Sequence, residues 1–332
     1  MRTTTLFALA CLTTSQALFA QVYTTPAGYT TQTLKANQYN LVGLTLHGDP
    51  LASGSIDAVT NTVLTDNQAA FSVVAGRSYI LEITNDANAG VSLEGTIQLV
   101  PAASITATTV TTTDDLPSFG LQVGATYTLR LAPTIEEIFG TTTSIISKGP
   151  NGASPLSDVI WVPLSNGVYT RYYIRSSDNT VRNALTNVAT LNTPIAYTDG
   201  LIVEKKNTGD ASLVLSGSIK TTVARLALET GYNLIGTAYP AGSTLQNCGL
   251  ASAISAGPNS ASPLSDVVWI PNGAGGYTTY YLRSSDSTWR NAVTNILAPT
   301  DLSLTTSVLL QRKSASPVNV TITAPSAYAT AN

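Results

Sequence analysis

Apolar and polar side chains alternate along much of this chain, so a period of two dominates its pattern. In 91–99, Val91, Leu93, Ile97 and Leu99 fall on one side of an extended strand, with Ser92, Glu94, Thr96 and Gln98 on the other. The same rhythm aligns Leu213 with Leu215, and Val318 with Val320 and Ile322. Each of these strands follows another, beginning at Ser78, Gly200 and Ser307, across a polar or Gly/Pro-bearing connection. The pattern predicts three hairpins, each closing a structural unit. Helical periodicity is scarce. A turn or two is expected over 134–139, where Thr134 can cap, Glu136 and Glu137 suit a helix N-terminus and Gly140 can end it, with a counterpart at 243–249.

The chain also repeats itself. GPNGASPLSDVIWVP at 149–163 returns as GPNSASPLSDVVWIP at 257–271, and the match continues without a gap from YYIRSSDNTVRNALTN into YYLRSSDSTWRNAVTN. The constant offset of 108 residues makes each copy domain-sized rather than a solenoid turn. Unit openings correspond as well: Tyr39-Asn40-Leu41-Val42-Gly43 matches Tyr232-Asn233-Leu234-Ile235-Gly236, and Tyr127-Thr128-Leu129 is a looser version. The expected organisation is a leader over 1–20, a diverged β unit over 21–101 and two β repeat units over 102–220 and 221–332. The expected fold class is all-β, with tandem sandwich-like units and a few short helical turns.

The GYNLIG opening, the S-D-V-x-W strand, the Y-x-x-Y-Y strand with its following R-N, and the closing strand pair resemble an uncharacterised paralogous family of secreted β-rich repeat proteins from verrucomicrobial bacteria. They are similar more broadly to extracellular modules that open with a G-[WY]-N-L-[IV] strand. The resemblance implies a fold and a compartment, and no catalytic or binding residue comes with it.

Composition narrows the class. Charged residues are 11% of the 332, under half of the roughly 25% usual in soluble domains, and Thr and Ser take their place. A net charge of −3 offers nothing to attract nucleic acid, while a neutral polymer such as a surface polysaccharide stays open. Arg2, the apolar run at 6–12 and the small-residue end at Ala17 to Ala20 predict a secretory signal peptide over 1–20. That run is shorter than the roughly 20 residues needed to span a bilayer, and no transmembrane segment is expected. Export across the inner membrane to the periplasm, cell surface or medium follows from this reading. With Cys11 in the leader, Cys248 stands alone and reads as a small buried apolar residue.

The candidate chemistry lies on the repeated aromatic strands. Alternation in 168–175 puts Tyr169, Arg171, Tyr173 and Arg175 opposite Ile174, whose face is the core side; the second copy aligns Tyr277, Thr279, Tyr281 and Arg283 in the same way. Tyr169, Tyr173, Arg175, Tyr277, Tyr281 and Arg283, extended by Trp289 in the STWRN turn, form either a platform for sugar rings or a packing face. Trp161 and Trp269 read as core plugs. The repeated Asp158/Asp266, Asp178/Asp286, Arg182/Arg290 and Asn183/Asn291 read as turn closures and Arg–Asp bridges, with too few acids nearby for a strong calcium loop.

The single histidine, His47, reads as a turn residue, and no Cys/His, zinc or Ser/His/Asp constellation is present. Lys205 and Lys313, read as matched between the repeats, would suit Lys-to-Asn crosslinks in a secreted β-fibre. No metal or cofactor is expected. The leading expectation is a non-enzymatic structural or adhesive surface protein, acting through sheet faces and edges on itself or on a surface polysaccharide. A carbohydrate-binding module is the alternative, and a glycan-active enzyme with paired carboxylates is a third.

Overall fold

The computed structural model describes residues 27–86, 93–143, 145–164, 168–206, 209–314 and 316–328. The expected leader, Cys11, Val91 and Ser92 lie outside these residues. The fold is all-β, built from antiparallel strands with helical turns of three to five residues. No helix among the described residues is long and apolar enough to cross a membrane.

Two five-stranded sheets share one design. The first orders Val181–Asn183, Tyr169–Ile174, Val159–Pro163, Gly200–Lys205 and Gln38–Gly43; the second orders Thr288–Asn291, Tyr277–Arg283, Val267–Pro271, Val308–Arg312 and Gly231–Ile235. Registers agree too, with Ile160 opposite Tyr172 in one sheet and Val268 opposite Tyr280 in the other. Each sheet is covered by a two-stranded one: Ala27–Leu34 with Ala211–Ser218, and Ala224–Leu228 with Val318–Ile322. Leu34, Leu213 and Leu215 thereby pack with Val42, Ile160 and Val203 in a core cluster that also takes in the second copy through Leu228, Val268, Leu310 and Val320.

This pairing corrects two expectations. The strands starting at Gly200 and Ser307 do not form hairpins with the strands that follow them; each chain crosses to the covering sheet. Gly200–Lys205 already has partners on both sides, and the leucines of Ala211–Ser218 need a facing layer to bury them. Of the three predicted hairpins, only the one that starts with Ser78–Asn85 forms, pairing with Ile97–Pro101.

The second correction concerns the boundary at residue 101. Gln38–Gly43 opens the first repeated copy by pairing with Gly200–Lys205, and an inserted body separates it from the rest of that copy. The insertion holds the four-stranded sheet Pro50–Ser55, Thr126–Leu131, Ser78–Asn85, Ile97–Pro101 and a three-stranded sheet of Ala58–Thr60, Val63–Thr65 and Thr109–Thr111. Tyr127 is therefore central to the insertion and opens no repeat. The insertion has its own core, including Tyr79, Leu81, Ile83, Val100 and Leu129, while Ile80, Ile97 and Leu99 turn from it to pack on the main cluster.

The helical turn Ile135–Phe139 forms as its sequence predicts. Thr134 Oγ1 accepts from the Glu137 amide, the Glu137 carboxylate accepts from the Thr134 amide, and Gly140 follows. At 243–249 there is no helix. Asn247 stands where Glu137 stands in the first copy and exchanges bonds with Thr244, a single turn follows, and a short 3₁₀ helix comes next at Leu250–Ser252.

Candidate functional site

The repeated polar residues build one device twice, a tip at the end of each five-stranded sheet. Loop 149–158 and loop 184–191 meet there, so closely that a methyl group on Gly152 would lie 2.5 Å from the Ala184 Cβ. Tyr173 is fully buried between them, its hydroxyl donating to Asn187 Oδ1. Tyr281 does the same in the second copy, donating to Asn295 Oδ1 at 2.6 Å. Both asparagines adopt positive φ, which their side chains tolerate and branched ones resist.

Below the tips, Asp178 draws in Arg175, Arg182 and Thr180, and Asp286 draws in Arg283, Arg290 and Thr288. Hydrogen bonds from Arg175 and from Arg283 hold these two carboxyls well below the usual carboxylate range. Asp158 is buried and accepts from the Ser147 and Lys206 amides, both at 2.8 Å, with Lys205 Nζ at 3.3 Å. Asp266 repeats the arrangement with Ser255, Lys313 and Arg312. Lys205 thus corresponds to Arg312 and Lys206 to Lys313, which corrects the expected match of Lys205 with Lys313. The Nζ groups of Lys206 and Lys313 donate to loop carbonyls, Gly152 and Ser154 in one copy and Ser260 and Ser262 in the other.

The expected aromatic platform is not assembled. Tyr173 and Tyr281 do face away from the core as alternation requires, yet the tip loops bury them. Trp289 lies in a strand opposite Leu282 and belongs to the core, not to an exposed turn. Arg175 and Arg283 are committed to Asp178 and Asp286. Tyr169 and Tyr277 remain half-buried beside Trp161 and Trp269, with ring centroids 6.5 Å apart in both copies. The tryptophans correct a second expectation: Ile160 and Val162 take the core side, leaving Trp161 on the outer face, edge-on to Tyr39 and under the Arg171 guanidinium at 5.3 Å.

What the sequence reading passed over is aliphatic. Leu185 is 81% exposed and its counterpart Val293 87%, and Leu156/Leu264 and Val188/Ile296 are exposed at the same tips. Their signal was present in the NALTN and NAVTN segments, where a large apolar residue is kept in both copies beside polar neighbours. One edge of each five-stranded sheet, by contrast, is occupied. Loop residues 188–190 bond back onto Val181–Asn183, and 296–298 do so onto Thr288–Asn291.

The copies meet through equivalent surfaces. Gly200 abuts Ser307, its own counterpart, where an added methyl would come 2.4 Å from the Ser307 Cβ. Gly43 and Gly236 are likewise counterparts: a methyl on Gly43 would lie 2.8 Å from the Ser307 amide, and one on Gly236 would lie 2.4 Å from the Tyr197 carbonyl. Such reciprocity is that of an isologous contact, here inside one chain. The insertion locks onto this junction through Glu82, which is buried against Lys220 and Thr222. His47 lies at the same junction, not in an open turn: its ring packs edge-on to Tyr197 at 4.3 Å, and Nε2–H donates to the Ala238 carbonyl at 3.3 Å.

These features define a class: an all-β protein with two matching sheets, two apolar tips and an inserted β body. No protein-family model matches the chain, and no curated protein matches it.

Proposed function

We propose that this chain is a non-catalytic structural component of the cell surface or envelope that assembles with copies of itself through its two tips. The observation that carries this reading is the duplicated apolar cluster around Leu185 and Val293. Large exposed aliphatics retained at both tips of a hydroxyl-rich chain favour a dry contact with another apolar surface. The partner surface in this reading is the tip of a second copy, which carries the same exposed aliphatics. Two self-complementary tips per chain extend an assembly in both directions. The acids repeated in both copies support a structural role, since each is occupied by backbone amides or by Arg and Lys. The secretory reading of 1–20 and the low charge suit an exported protein.

Sedimentation velocity of the purified protein tests this. Wild type is expected to form species larger than a monomer that grow with concentration, and a Leu185→Ser/Val293→Ser variant is expected to remain monomeric. A strictly monomeric wild type at high concentration would remove the proposal. The carbohydrate alternative loses its original platform through the burial of Tyr173, Tyr281 and Trp289.

A further inference from the structure

A cleft of about 410 Å³ opens where all three bodies meet, lined by Tyr169 and Asp199 of the first copy, Glu229 and Tyr232 of the second and Leu99 of the insertion. Among the described residues, its lining contains two carboxylates and no Lys or Arg side chain. Neither carboxylate has a hydrogen-bond or ion-pair partner among the described residues; only the backbones of Asp199 and Glu229 are bonded, to Ala196 and to Asn233. This sets the pair apart from Glu82, Asp158, Asp178, Asp266 and Asp286, all of which have cationic partners. Burial pushes the Asp199 carboxyl up to about 7, the behaviour of a charge lacking a counter-charge.

The equivalent cleft on the other side of the junction, about 470 Å³, is lined by Tyr39 and Tyr277 and differs in the residues that matter. Thr306 occupies the position of Asp199. Lys35 occupies that of Glu229, making the same amide bond to the turn asparagine, and its ammonium is held by Asp210. The acidic character therefore belongs to one cleft and is not imposed by the repeated fold.

We propose that the cleft at Asp199 binds a primary ammonium group carried on a compact body, as in an amino sugar or a lysine side chain. Asp199 and Glu229 supply the counter-charge, which acts more strongly in a partly desolvated cleft than on open surface. Tyr169 and Tyr232 supply aromatic walls, and aromatic rings attract ammonium groups. A neutral sugar would leave both carboxylates without a counter-charge. This inference goes beyond the assembly reading and uses none of the tip residues, so each can fail alone.

Isothermal titration of the full chain tests it with three probes: a glucosamine tetramer, its fully N-acetylated form and tri-lysine. At least one amine probe is expected to bind and the N-acetylated tetramer is not. A preference between the amine probes identifies the source of the ammonium, and either preference supports the site. Asp199→Asn is expected to weaken binding at least about tenfold, Glu229→Gln severalfold, and Tyr39→Ala in the other cleft not at all. Unfolding curves of the same variants confirm that the fold is kept. Equal binding of the N-acetylated tetramer, amine binding that survives Asp199→Asn/Glu229→Gln, or no binding of either amine would overturn the proposal.

Discussion

Glu82 and Lys220 form an ion pair buried at the meeting point of the insertion and the two repeated copies. Burial raises the pKa of the Glu82 carboxyl, but the charge and hydrogen bond of Lys220 outweigh it and hold the group below its ordinary value. Thr222 bonds both partners, and the Lys220 ammonium lies 5.6 Å from the Tyr197 ring centroid. The strand Ser78–Asn85 thus sends Tyr79, Leu81 and Ile83 into one core and Ile80 and Glu82 into the other body.

Removing one partner of that pair strands the other. Glu82→Gln or Lys220→Met is expected to destabilise the protein by about 3–5 kcal/mol. Glu82→Leu/Lys220→Met together should cost much less, because no uncompensated charge remains. Urea denaturation of the three variants checks this, and equal losses in the single and double variants would contradict it.

The copy junction makes a steric prediction. Gly236→Ala pushes a methyl against the Tyr197 carbonyl and is expected to cost about 1–3 kcal/mol. Gly28→Ala, in a strand where an added methyl meets nothing within 4 Å, is the control and should be near neutral or stabilising. Thermal unfolding of both distinguishes a tight junction from a loose one.

Two desolvated groups pull the pH dependence of stability in opposite directions. His47 is lowered to about 3, chiefly by burial and then by the charges of Lys220 and Arg130, against about 6.5 unfolded. Its contribution is fully present above pH 6.5 and is lost as pH falls toward 3. Asp199 is raised to about 7 by burial, against about 3.9 unfolded. Its contribution is fully present below pH 3.9 and is lost as pH rises toward 7.

Between about pH 4 and 6.5 the two slopes, each up to about 1.4 kcal/mol per pH unit, nearly cancel. Relative to wild type over that window, Asp199→Asn should make stability rise with pH and His47→Gln should make it fall. Denaturation series at several pH values read the difference directly, and parallel curves for all three proteins would contradict the assignment.

Much of this fold was legible in the sequence because its causes are local. Period-two alternation marked the strands, the 108-residue repeat marked two matching sheets, and Thr134 with Glu137 and Gly140 marked the α-helical turn Ile135–Phe139. Strand partners were not legible. Alternation at Leu213 and Leu215 demands an apolar cover but does not say which strand supplies it, and the partner, Ala27–Leu34, lies across an insertion. The tyrosines show the same limit. Parity put Tyr173 and Tyr281 on the outer face correctly, but their burial depends on loops folding over that face. Asp199 carried no signal, since its isolation arises only where three bodies converge.

The most direct measurement on the assembly claim is sedimentation velocity of a chain with one tip altered. If the tips around Leu185 and Val293 are the contacts, Leu185→Ser alone should stop growth at a dimer joined through the remaining tip, while wild type forms a longer series. A Leu185→Ser protein that assembles as wild type does would contradict the claim.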